Sequence, residues 1–231
     1  MARSNPIKIA AVVVGGWIVL EVALRRGFVS VAPAVGIDPL LADYLVLAIG
    51  FPLIAAILTL YALEQGQRSE SWERDVTARA LAGGLIAAIV GFVLLNGAIL
   101  IDIVLFGFGE TSRAGGETLT AAFEARPALA ILFLVGNGFV VPVAEEQVWR
   151  GIVQTDLVDG FGVVVGIGIA SVAFALKHVI VDLSVSRLTM LLTLGLLLGV
   201  VRHRWGTASS TVTHALINTV YSASAVATVF L

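Results

Sequence analysis

The sequence contains no cysteine. Disulfides, cysteine-ligated metals and thiol nucleophiles are therefore excluded. Charge is scarce too: 13% of the 231 residues are Asp, Glu, Lys or Arg, against about 25% in an average soluble domain. The formal net charge is only -2, so there is no basic face of the kind that nucleic acid requires. Internal repeats and low-complexity tracts are missing. So is the period-two alternation, about ten residues at a time, that marks the strands of a spanning β-barrel. What is present is apolar: 58% of residues are hydrophobic and the mean hydropathy is +1.01. The apolar residues fall in long continuous runs, which makes the expected fold class all-α, a polytopic helix bundle in the membrane.

A spanning helix needs about 20 apolar residues, each rising 1.5 Å. About seven such helices, or eight, are read here. They cover roughly 7–24, 40–63, 80–107, 127–157, 161–181, 187–202 and 207–230. The first begins after a weakly basic start and is followed by Arg25, Arg26 and only a poor cleavage motif, so it is expected to be an uncleaved span. The polar stretch 64–79 reads as a loop or interfacial helix, and about 108–126 as a loop ending at Pro127. The whole chain, 1–231, is expected to form a single integral domain, multi-pass in the cell membrane with the lipid bilayer as its surroundings. "GVVVG" at 162–166 and "GLLLG" at 195–199 place small residues four apart, a spacing that permits close helix packing; ordinary glycine background in lipid-facing helices reads the same way. With the N-terminus inside, Arg3, Lys8, Arg68, Arg74, Arg79, Arg150, Arg202 and Arg204 fall on inner segments. Arg25, Arg26, Arg113, Arg126, Lys177 and Arg187 fall on outer ones. That is a slight positive-inside excess.

Against this background a few polar residues stand out. An ionised side chain at a spanning helix centre costs about 2.5–3.5 kcal/mol on insertion scales. Glu146 and Arg150 are four apart on the fourth helix and share a face, so they can pair. Glu145, about 100° around the helix from Glu146, has no such helical partner. The expectation is therefore one glutamate for structure and one free for chemistry. "FALKH" ends the fifth helix with Phe174 and His178 four apart, and "HALIN" opens the seventh with His214 and Asn218 four apart. Counted from the turns near 159–162 and 202–206, Glu145, His178 and His214 lie about 13–26 Å below one surface. Three helices can thus bring Glu145, His178, His214 and Asn218 around one cavity. Taken singly, a His or Asn on a spanning helix also reads as an interhelical hydrogen bond. Asn96, Asp102 and Glu21 read as packing or rim residues, and His203 as a headgroup-level residue.

The ordered set EExxxR, FxxxH, HxxxN resembles the signature of the CPBP family, which contains the type II CAAX prenyl endopeptidases and the Abi, bacteriocin-processing proteins. Here the motifs are "EEQVWR" (Glu145, Glu146, Arg150), "FALKH" (Phe174, His178) and "HALIN" (His214, Asn218). The resemblance covers about 141–218, in a catalytic half of about 127–231; Gln147 and Trp149 depart from the usual composition of the first motif. It implies an intramembrane endopeptidase acting on a membrane-associated peptide or lipidated protein, of CAAX type if prenylated. It further implies that Glu145 activates water as general base with His178 as its partner. His214 and Asn218 would then hold the oxyanion, with Glu146, Arg150 and Phe174 as support. No cofactor is favoured. The family is often labelled metalloprotease, and a zinc set of Glu145, His178 and His214 is the alternative, although HExxH is absent. Serine (GxSx) and aspartyl (GxGD) signatures are also absent. A channel or transporter is weakly signalled, with Pro52 and Pro142 as its only candidate helix breaks. A non-catalytic scaffold or bacteriocin-immunity protein of the same fold is the competing function.

Overall fold

The fold was obtained as a computed structural model that describes residues 5–67, 76–107 and 119–230, without the side chains of 228–230. The central part of the polar stretch 64–79, most of the expected loop at 108–126, and Arg3, Arg68, Arg74 and Arg113 lie outside the described residues. Among the described residues all regular structure is helical. The helices are α1 (Pro6–Val35), α2 (Pro39–Glu64), α3 (Ala78–Phe106), α4 (119–125), α5 (Pro127–Phe161), α6 (Val163–Asp182), α7 (Leu188–Trp205) and α8 (Thr207–Phe230). Six of them, α1, α2, α3, α5, α6 and α7, are long and apolar enough to cross a membrane. The protein is an integral, multi-pass membrane protein. α8 has the extent expected of the seventh span, but is not among the six. Its 24 residues are long enough, yet serines, threonines, His214 and Asn218 dilute its hydropathy. It packs instead against α3, α5 and α7.

Local chemistry sets the helix ends. Asn5 accepts the N–H of Ile7 at the start of α1 (2.9 Å), and Thr77 accepts that of Ala80 at the start of α3 (3.1 Å). Asp38 accepts the N–H groups of Leu40 and Leu41 (3.0 and 3.1 Å), with Pro39 at the first helical position of α2. These are the preferred residues for satisfying orphan N–H groups. α5 and α6 are joined through Gly162 (φ 80°), and α7 and α8 through Gly206 (φ 90°). Each single glycine adopts a left-handed backbone that other residues rarely take, so these helix pairs turn back without a loop.

Two further features position the centre of the bundle. α5 is not a regular α-helix: it widens into π turns at Gly136–Val140 and Trp149–Gln154, on either side of Val141–Val148. Such turns occur mostly as local bulges, often at functional sites. The second feature is close packing of α7 on α6. A Cβ on Gly195 would lie 3.1 Å from Ser171, and one on Gly199 would lie 2.7 Å from Ile167. "GLLLG" is thus a packing stripe. "GVVVG" is not, because Gly162 is the turn residue and only Gly166 meets a neighbour, the backbone of Leu157 and Val158.

Asp102, expected as a packing or rim residue, has a specific task. It is buried on α3 and accepts the backbone N–H groups of Thr189 and Met190, both at 2.8 Å, at the start of α7. A neighbouring helix thus supplies the N-cap. Asp102→Ala leaves both donors unsatisfied in a buried setting and is expected to cost about 2 kcal/mol, the upper end of the range for lost caps. Thermal unfolding in detergent measures this, and Asp102→Asn, which keeps one acceptor oxygen, is expected to lose less.

Candidate active site

α5 carries both glutamates on adjacent positions, about 100° apart on the helix. Glu146 turns toward α8. Its Oε1 lies 3.1 Å from His214 Nδ1, and its Oε2 lies 3.5 Å from Arg150 Nε. The i, i+4 ion pair expected from the spacing is present, with both side chains fully buried. The Arg150 guanidinium lies over the ring of Phe174, 5.2 Å from its centroid. Its attachment is thus charge and ring contact rather than a short fork of hydrogen bonds.

Glu145 turns the other way, toward α6 and α1, and it is not free. Lys177 Nζ donates to Glu145 Oε1 at 2.5 Å and to Glu21 Oε2 at 3.0 Å. Trp17 Nε1 also donates to Glu21, at 2.7 Å. The ammonium lies 5.5–5.6 Å from the ring centroids of Trp17, Phe51 and Phe174. Two expectations are corrected here. Lys177 is not an outer-segment charge but is wholly buried, so it gives no topology signal. Glu21 is not a packing or rim residue; it is the second carboxylate of a buried triad. The physical reason is common to both: three charges on different helices lower their desolvation cost by meeting. Sequence spacing does not reveal a pairing across 156 residues. The usable signal is charge arithmetic: Glu145 and Lys177 are apolar-helix charges with no i, i+4 partner of opposite sign, and Glu21 has only Arg25, 4.0 Å away and engaged by Asp43 and Asp182.

His214 lies between the two carboxylates, with Nε2 3.9 Å from Glu145 Oε2 and Nδ1 on Glu146. His178 Nδ1 faces the carbonyl oxygen of Phe174 at 2.9 Å. A carbonyl only accepts, so Nδ1 carries the proton and Nε2 keeps its lone pair. Phe174 holds both imidazoles edge-to-face, at 4.9 Å from His178 and 6.3 Å from His214. Asn218 Nδ2 donates to the carbonyl oxygen of Asn137 at 3.0 Å, and Thr219 Oγ1 to that of Gly138 at 3.1 Å. Both carbonyls belong to the first π turn of α5. A widened turn leaves carbonyl groups outside the regular helical ladder, and here α8 uses them. One amide proton of Asn218 remains for another acceptor.

Glu145, His178, His214 and Asn218 all line one cavity of about 440 Å³. Apolar side chains from α2, α3, α5, α7 and α8 complete much of its wall. Toward the ends of α1 and α6 it meets an ionic cluster: Arg25 pairs with Asp43 (3.1 Å) and Asp182 (3.2 Å), and Arg187 also pairs with Asp182. Glu146, Arg150 and Trp149 lie behind the cavity wall rather than on it. For a metal, the arrangement is unfavourable. Lys177 already occupies one oxygen of Glu145, each histidine has its Nδ1 engaged, and no group of three His, Asp or Glu among the described residues is spaced to hold an ion.

The polytopic helical bundle thus places a carboxylate, two imidazoles and an amide around one cavity. Residues 127–220 match the family model of the type II CAAX prenyl endopeptidase Rce1-like proteins, a family of membrane proteases. No curated protein and no solved structure matches the chain.

The two glutamates differ in what their loss leaves behind. Removing one partner of a buried pair costs about 3–5 kcal/mol. Arg150→Ala takes from the fully buried Glu146 its cationic partner and is expected to cost that much. Glu145→Ala is expected to cost clearly less, because Lys177 keeps Glu21. Unfolding of the two variants in detergent, followed side by side, checks this; equal losses contradict it.

Proposed function

We propose that the protein is an intramembrane endopeptidase that hydrolyses a peptide bond of a membrane-associated protein, of CAAX type where the client is prenylated, with water activated by Glu145. The observation that carries the reading is the convergence of Glu145, His178, His214 and Asn218, from three helices, on one buried cavity.

Each group has chemistry suited to the step assigned to it. Glu145 takes a proton from water as the water oxygen bonds to the scissile carbonyl carbon. His178 presents an Nε2 lone pair to the same water. The carbonyl oxygen becomes an oxyanion and accepts from the remaining amide proton of Asn218. His214 is the second donor. Its Nδ1 faces a carboxylate and carries a proton, so donation from Nε2 requires the doubly protonated ring, whose charge the flanking Glu146 and Glu145 offset. Preorganised donors of this kind contribute about 3–4 kcal/mol each. Collapse of the intermediate breaks the C–N bond, and the leaving amine takes the proton from Glu145.

The cavity lies inside the bundle, so the client is an extended segment that enters from the membrane or its surface. A prenyl chain could stay in the bilayer while the peptide entered. The reading also excludes a required metal: protein stripped with a strong chelator is expected to keep its activity, and elemental analysis to find far less than one zinc per chain. Stoichiometric zinc, with activity lost on stripping and restored on refilling, reverses this. Clients can be identified by comparing membrane proteomes of cells carrying the wild type or Glu145→Ala. New peptide ends that depend on Glu145 are expected. Identical peptide ends in the two strains, with the wild-type phenotype kept in Glu145→Ala, favour the scaffold or immunity function instead.

A further inference from the structure

We infer that Lys177 is the positioning residue of Glu145 and that Glu21 is the counter-charge that lets Lys177 do so without neutralising the base. The inference rests on the reading of Glu145 as general base.

Glu145 has two oxygens with different surroundings. Oε1 is held by Lys177 at 2.5 Å, and Oε2 points toward His214 at 3.9 Å. The lysine contact therefore selects which oxygen faces the reacting groups. Lys177 is itself immobilised. Glu21 holds it at 3.0 Å, three aromatic rings surround it, and Trp17 fixes Glu21 in turn. A flexible four-carbon side chain has become a fixed point. Orientation of this quality matters for catalysis, since misplacement by about 1 Å costs on the order of a hundredfold in rate.

Charge explains why two carboxylates share one lysine. With Lys177 alone, Glu145 would form a neutral, closed pair and surrender little basicity to a water. With Glu21 present the triad carries one net negative charge. When Glu145 accepts a proton, Glu21 and Lys177 remain as a balanced pair. The other charged or titratable groups around the cavity do not take over this task. Arg25 hydrogen-bonds Asp43 and Asp182 and reaches Glu21 only at 4.0 Å, on the oxygen that Lys177 does not hold, and Arg187 pairs with Asp182. His214 is held on Glu146, and His178 on the Phe174 carbonyl.

The test uses the full-length protein in detergent, with a quenched fluorescent peptide that carries a farnesylated cysteine near its C-terminus. Four variants are compared with wild type: Glu145→Gln, Lys177→Met, Glu21→Gln and the double variant Glu21→Gln/Lys177→Met. Lys177→Met is expected to lower kcat by about 10–100-fold with little change in KM, as a misoriented base does. It also loses stability, because two carboxylates then face each other unpaired. The double variant removes that imbalance. It is expected to regain most of the wild-type Tm but not the kcat, which separates positioning from scaffolding. A double variant that regains both shows Lys177 to be structural and overturns the inference. If Glu145→Gln is inactive while the double variant has wild-type kcat, only the inference fails. If Glu145→Gln still cleaves, the general-base reading fails and takes the inference with it.

Discussion

The structure depends on how ionised groups are kept inside an apolar bundle. An isolated buried charge is expensive, and removing a partner is more so. Here five of the buried charges on α1, α5 and α6 fall into two sets. Glu146 and Arg150 close on each other along α5. Glu21, Lys177 and Glu145 link α1, α6 and α5 across the cavity wall. His214 touches both sets. The first set lies behind the wall and holds α5 against α8, while the second reaches the cavity. Adjacent positions on one helix face different neighbours, so the pair "EE" supplies one carboxylate to each set without any loop or break at the motif itself.

The backbone cooperates with this division. The π turns on either side of Val141–Val148 widen the helix and leave carbonyl groups outside its regular ladder. The first turn feeds Asn218 and Thr219 from α8. In the second, Thr155 Oγ1 returns a hydrogen bond to the carbonyls of Arg150 (3.2 Å) and Gly151 (2.9 Å). Phe174 is the other fixed element. Its ring meets Trp149, His178, His214, Arg150 and Lys177. One aromatic residue therefore sets the orientation of both imidazoles and backs both cations.

Much of this was legible in the sequence, for identifiable reasons. Long apolar runs give most helix ends within a few residues of those observed; the first helix is the exception, expected to end near 24 and continuing to Val35. Helical spacing makes the Glu146–Arg150 pair visible, and counting residues from the turns brings the three motifs to one depth. What spacing does not encode was missed. The Lys177 pairings to Glu21 and Glu145 join helices far apart in the chain, and Lys177, on the expected fifth helix, was counted only among the charges of the outer segments. Asp102 serves as a cap for another helix, which local capping rules do not anticipate. The π turns have no periodic signature. α8 was expected to be a span like the others, but its hydroxyl-rich face belongs to the interior of the bundle.

The account makes Glu145 a base acting on water rather than a nucleophile that bonds to the substrate, and isotopic oxygen distinguishes the two directly. In a single turnover of the farnesylated peptide in water enriched in oxygen-18, the new C-terminal carboxylate is expected to carry one heavy oxygen and Glu145 none. A heavy oxygen in the carboxylate of Glu145, as hydrolysis of an anhydride between enzyme and peptide would leave, would contradict it.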